Sequence, residues 1–260
     1  MAGTAHDGGG GPEPATPPSR PARLPPLAES NSLLDLPVAG YLPALVSVPL
    51  GATAPRPVLV ATHGAGGRPD GQCELWRNIV GQRAFVLCPR GKPTSVFDPA
   101  DARGYYYPAH PVLGQELSAA LEALQSRYRD YVDLRAPIFA GFSQGASMGA
   151  LVLPEHPARF ARVALVEGGF GLYQEWNLAV AERLRSQGAE RVLWACGRPS
   201  CIEQARKSAR LVERAGIAVK LVYVPTAGHS YRGDMARELA AAFAWLAAGD
   251  PRFDLSLPEN

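Results

Sequence analysis

Lysine is nearly absent from this sequence: Lys92, Lys207 and Lys220 stand alone among 26 basic residues, and arginine supplies the rest. With 24 acidic residues against them the formal net charge is only +2. No basic block stands out, which argues against nucleic acid as a partner. No apolar run approaches the roughly 18 residues of a membrane span. The most apolar late segment, residues 239–248, reads as the inner face of a terminal helix. The first thirty residues lack the basic start and apolar core of a secretion signal. They are rich in glycine, proline and alanine instead, a composition that buries too little apolar surface to fold. Residues 1–30 are therefore expected to form a tether, or the remnant of an export leader, ahead of one domain over residues 31–260. Cysteine is scarce too. Cys73, Cys88, Cys196 and Cys201 lack the close pairing of zinc sites, so no metal site is expected. Two readings fit the four: local disulfides Cys73–Cys88 and Cys196–Cys201 in an exported protein, or four reduced, buried thiols in a cytoplasmic one. The Gly/Pro-rich start favours export, to a periplasmic or extracellular location.

What remains is ordinary for a single large domain: 260 residues, 47% of them hydrophobic and 19% charged. Extended and helical patterns alternate along it. Residues 45–50 read as extended, 57–62 as a buried strand, 71–80 as a helix and 84–88 as a strand. Leu113, Leu117, Leu121, Leu124 and Tyr128 recur at helical spacing. Strands follow at 137–142, 162–166, 191–195 and 218–224. Helices follow them at 144–153, 173–186, 202–215 and 234–246. Repeated strand–helix units predict an α/β fold, a mostly parallel central sheet with helices on both faces. Residues 94–111 are irregular, and their Tyr105-Tyr106-Tyr107 run fits a lid, a pocket wall or plain loop packing.

Three stretches carry chemistry. Gly141-Phe142-Ser143-Gln144-Gly145 matches Gly-x-Ser-x-Gly, a sharp strand-to-helix turn that exposes a nucleophilic serine at the positive end of a helix. It falls where the motif requires, after an apolar strand and before a helix. His229 lies just past the last strand, the place for a base that takes the Ser143 proton and returns it to the leaving group. The other histidines fit less well: His6 is in the tether, His110 and His156 precede prolines, and His63 precedes glycines. The third stretch, His63-Gly64-Ala65-Gly66-Gly67, follows a strand and can present backbone N–H groups to an oxyanion. Ala65 and Gln144 are the expected donors. A phosphate loop would need a Lys-Ser/Thr pair that this segment lacks.

The run Gly141-Phe142-Ser143-Gln144-Gly145-Ala146-x-Met148 resembles the nucleophile region of the carboxylesterase and acyl-protein-thioesterase branch of the α/β-hydrolases. The His-Gly-x-Gly-Gly segment is similar to dienelactone hydrolases and to the secreted polyhydroxybutyrate-depolymerase and feruloyl-esterase group. The resemblance spans residues 45–246 in element order, with specific motifs in those three stretches alone. It implies hydrolysis of small-molecule or polymeric esters, or of thioesters, through an acyl-enzyme and without a cofactor. The family's usual aspartate is missing, however. After residue 195 the chain reads Cys196-Gly197-Arg198-Pro199-Ser200-Cys201-Ile202-Glu203. Glu203 is the nearest carboxylate there, though Ser200-x-x-Glu203 doubles as a capping box. Asp234 follows His229 too closely and reads as a helix N-cap. Glu167, which ends an apolar strand ahead of Gly168-Gly169, occupies the position from which pancreatic lipases present their acid. It is the acid expected here, ahead of Glu203, and a Cys196–Cys201 bridge fits an acid that has moved away from its usual loop. A serine peptidase on the same fold and a non-catalytic binding protein are the competing readings.

Overall fold

The computed structural model describes Met1, Gly3 and residues 23–99 and 101–253. Ten strands and six helices alternate along them: β1 Leu33–Leu36, β2 Ala44–Ser47, β3 Arg56–Thr62, α1 Pro69–Val80, β4 Phe85–Cys88, β5 Lys92–Pro93, β6 Tyr105–Tyr106, α2 His110–Tyr128 and β7 Val132–Phe142. They continue with α3 Gln144–Val152, β8 Arg162–Val166, α4 Leu178–Ser186, β9 Arg191–Cys196, α5 Pro199–Arg214, β10 Ala218–Tyr223 and α6 Asp234–Ala247. Eight strands form one sheet in the order β1-β2-β4-β3-β7-β8-β9-β10, and β5 pairs with β6 apart from it. The pairs from β4 through β10 are parallel, whereas β1–β2 and β2–β4 are antiparallel. The fold is thus the expected mostly parallel α/β sheet.

Alternate residues of each central strand serve opposite faces, as the pleat demands. Val58, Val60, Phe139, Val163, Leu165 and Trp194 pack on one side with residues of α2, α3, α4 and α5. Leu59, Ala61, Ile138, Ala140, Ala164 and Leu193 pack on the other with Trp76 of α1 and Leu239 of α6. Strands buried on both faces read as continuous apolar runs, which is why the sequence announces them so clearly.

Several boundaries differ from expectation. Helices α1, α2 and α5 each carry proline at N1 or N2, where the fixed φ favours a helix start. Pro199 starts α5 with Arg198 as its N-cap, so Ser200 and Glu203 form no capping box. Helix α6 is capped by Gly233, which leaves Asp234 as its first helical residue. Helix α4 begins at Leu178, where the Asn177 side chain accepts from the Val180 N–H. Strand β7 starts at Val132 and carries Pro137 inside it; its pairing with β3 shifts register there, beside Ala136 at φ 45°.

The expected tether falls largely on residues 4–22, outside the described residues. Residues 23–30, placed with it by their prolines, lie instead against the domain. Leu24 and Leu27 donate backbone bonds to Thr53 and Ala52, and Glu29 pairs with Arg127. Both cysteine pairs are disulfides, with Cα separations of 6.0 Å for Cys73–Cys88 and 5.5 Å for Cys196–Cys201. Among the described residues no helix is long and apolar enough to cross a membrane.

Candidate active site

Ser143 sits between the end of β7 and the first residue of α3, with φ 52° and ψ −116°. For a non-glycine residue this is strained backbone, at a cost of about 1–3 kcal/mol. The surroundings enforce it. The Ser143 N–H donates to Val166 O at 2.8 Å, and the Gly145 N–H donates to His63 O at 3.1 Å. A Cβ on Gly145 would lie 2.6 Å from that same carbonyl oxygen, and one on Gly141 2.6 Å from Ala146 Cα. The two glycines of the motif are there so that the turn can close against neighbouring backbone.

Glu167, the residue after β8, is strained likewise, at φ 52°. Its N–H donates to Ala195 O at 2.9 Å. Next along the chain Gly169 donates its N–H to Ser147 Oγ, and its carbonyl accepts from the indoles of Trp176 and Trp194, both at 2.8 Å. The carboxylate is therefore aimed by a chain fixed on both sides.

The structure brings Ser143, His229 and Glu167 together. His229 Nε2 lies 2.9 Å from Ser143 Oγ, and His229 Nδ1 lies 2.8 Å from Glu167 Oε2. The Glu167 side chain is fully buried, whereas His229 is 40% exposed. Burial alone would raise the Glu167 pKa, but bonds from His229, from the N–H groups of Gly197 and Arg198 and from the Arg198 guanidinium together hold it below the usual carboxylate value. An ionised carboxylate only accepts, so the Nδ1–H donates to it while Nε2 faces the serine hydroxyl. The ring of Phe142 packs against His229, with centroids 5.1 Å apart, and against Tyr231 at 4.8 Å.

The glycine-rich stretch borders the serine: a Cβ on Gly64 would lie 3.0 Å from Ser143 Cβ. Ala65 is exposed, and Gln144 opens α3, where a first-turn N–H has no partner within the helix. The Gln144 side chain is fixed, because its Oε1 accepts from the Tyr107 N–H at 2.9 Å. Tyr107 is buried, donates its hydroxyl to Pro89 O at 3.0 Å and stacks on His63 with centroids 4.7 Å apart. The tyrosine run thus forms packed wall: Tyr105 pairs with Pro93 in the β5–β6 ribbon. His63 is a staple, its ring nitrogens lying against the carbonyl oxygens of Gly64 and Arg90 at 2.8 and 2.9 Å.

The competing acids are elsewhere. Glu203 is exposed on α5. Asp234 accepts from the Thr226 hydroxyl at 2.7 Å and pairs with Arg237. Sequence reasoning missed Arg198, whose Nε donates to Glu167 Oε2 at 2.5 Å. The available signal was a guanidinium enclosed in the short Cys196–Cys201 loop. Glu167 also lies within 4.8 Å of both of those sulfurs, but the two are bonded to each other, which removes the thiolates a metal would need.

No protein-family model matches this sequence, and no curated protein is significantly similar to it. Solved structures are. The chain is similar to an S-formylglutathione hydrolase from Agrobacterium tumefaciens at 19% identity and TM-score 0.54, covering 79% of this chain and 88% of that one. It is similar to a carboxylesterase from Bacillus cereus at 18% identity and TM-score 0.53, covering 74% and 89%. It is also similar to an acylaminoacyl peptidase from Pyrococcus horikoshii at 10% identity and TM-score 0.59, covering 82% of this chain but 40% of that one. At such identities the likeness speaks to architecture: the chain has the α/β-hydrolase fold. Because esterases and a peptidase share it, the fold does not choose the substrate.

Proposed function

We propose that this protein is a serine hydrolase that cleaves carboxylic esters or thioesters through an acyl-enzyme on Ser143. The observation that carries the reading is the hydrogen-bonded relay from Ser143 Oγ through His229 to Glu167. In the first half-reaction Ser143 Oγ attacks the acyl carbon while His229 Nε2 takes its proton. The tetrahedral oxyanion is held by the N–H groups of Gln144 and Ala65, each donor being worth about 3 kcal/mol at the transition state. His229 then protonates the departing alcohol or thiol. Water, deprotonated by the same nitrogen, releases the acid. Glu167 keeps its proton count throughout and stabilises the transient imidazolium.

The two disulfides support a site of action in an oxidising compartment, periplasmic or extracellular. The test of the reading is labelling by a fluorophosphonate probe alongside turnover of p-nitrophenyl esters and peptide p-nitroanilides. The proposal expects covalent label on wild type, none on Ser143→Ala, and esters cleaved far faster than amides. Fast amide cleavage would move the assignment to a peptidase. A wild type that takes no label would leave only a binding protein.

A further inference from the structure

The turn after β9 contributes no acid, yet it supplies most of the donors around one. Cys196 ends β9, Cys201 lies in the first turn of α5, and their disulfide closes the intervening residues into a small loop. From it the N–H groups of Gly197 and Arg198 donate to Glu167 Oε1 at 2.6 and 3.1 Å. Arg198 Nε donates to Oε2, the same oxygen that receives His229 Nδ1. The loop also touches the strand-to-helix connection that carries the histidine: a Cβ on Gly197 would lie 2.1 Å from Gly228 O. Both carboxylate oxygens are thus occupied twice over, and the carboxylate cannot rotate away from the imidazole without giving up charge-assisted bonds.

A guanidinium at this place has a second effect. When His229 gains the serine proton, the imidazolium is attracted by Glu167 and repelled by Arg198 just beyond it. Glu167, just after β8, and Arg198, just before α5, bring those two charges to the Nδ1 side of the ring. On the histidine's own connection Arg232 lies over the Tyr231 ring, 5.5 Å from its centroid, and Asp234 is paired with Arg237. From the end of β7 and the turn into α3 the ring meets Phe142 and Ser143.

We propose that the disulfide-closed turn is a carboxylate clamp, and that Arg198 is a positioning residue that locks Glu167 onto His229. This rests on the assignment of Ser143, His229 and Glu167 above. The test compares wild type, Arg198→Gln, Arg198→Lys and the double variant Cys196→Ser/Cys201→Ser in ester turnover. For Arg198→Gln the expected result is a fall in kcat of about tenfold, well short of the roughly ten-thousandfold loss of the acid's charge itself. KM should hardly change. Arg198→Lys, which keeps the charge and a donor, should recover part of that kcat, and the double cysteine variant should lose kcat with KM preserved. Wild-type kcat in Arg198→Gln would overturn the clamp. If that variant does not fold, an undiminished kcat in the folded cysteine variant overturns it equally. Probe labelling of wild type in the same series separates the two levels, since an unlabelled Ser143 would refute the underlying assignment whatever Arg198 does.

Discussion

Buried carboxylates meet arginine at both ends of this sheet, and the two ends come to opposite purposes. At the start of β7 and β8, Asp133 accepts from Arg135 and Arg252, while Asp250 accepts from Arg252 and lies 3.7 Å from Arg162. At the far end of the same strands Glu167 accepts from Arg198, but also from His229. Guanidinium holds its proton at any ordinary pH, so the first cluster can only stabilise. Imidazole can take up a proton and return it, so only the second holds a group suited to proton transfer. Positive φ occurs at both ends: Ser143 and Glu167 take it beside the histidine, and Ala136 takes it, at 45°, where its carbonyl accepts from Arg252.

The comparison breaks most visibly at the serine. Ser143→Ala should reduce ester turnover by about a millionfold with folding intact, as measured by kcat against circular dichroism. A Gly197→Ala variant sharpens it, because the added methyl collides with Gly228 O and pushes the acid clamp away from the histidine connection. Its kcat should fall by about a hundredfold, in line with a misplacement of about 1 Å. At the other end Arg252→Ala should leave kcat of the folded enzyme unchanged. It should nonetheless cost about 2 kcal/mol, read as a drop of about 5 °C in Tm. The smallest effect concerns acid. Arg135 foremost holds the Asp133 carboxyl down to about 2, against the opposing pull of burial and with help from Arg252. A lowered pKa contributes stability that is complete above the unfolded value, near 4, and is lost as pH falls towards 2. Asp133→Asn should therefore flatten the acid side of a Tm-against-pH curve between those values.

Much of this was legible in the residues. The central strands are buried on both faces and show as unbroken apolar runs, and Gly-x-Ser-x-Gly with a late histidine needs no structure to be noticed. Glu167 stood out for a different reason, as a charge that ends an apolar strand before two glycines, and the structure sets its carboxylate 2.8 Å from His229 Nδ1. Helix starts were misread where side-chain capping was weighed above the pre-set φ of Pro199, and the start of β7 was hidden by Pro137, which a bulge accommodates. Arg198 showed in the sequence only as a guanidinium inside the Cys196–Cys201 loop, since its bond to Glu167 exists only once that loop has folded against the end of β8.

The account stands most directly on the identity of the acid, and one pair of variants addresses it. Ester turnover at pH 7.5, about three units above an ordinary glutamate pKa, should fall by a factor of about a thousand or more in Glu167→Gln and stay at the wild-type rate in Glu203→Gln. Full activity in the first, or a collapse confined to the second, would contradict it.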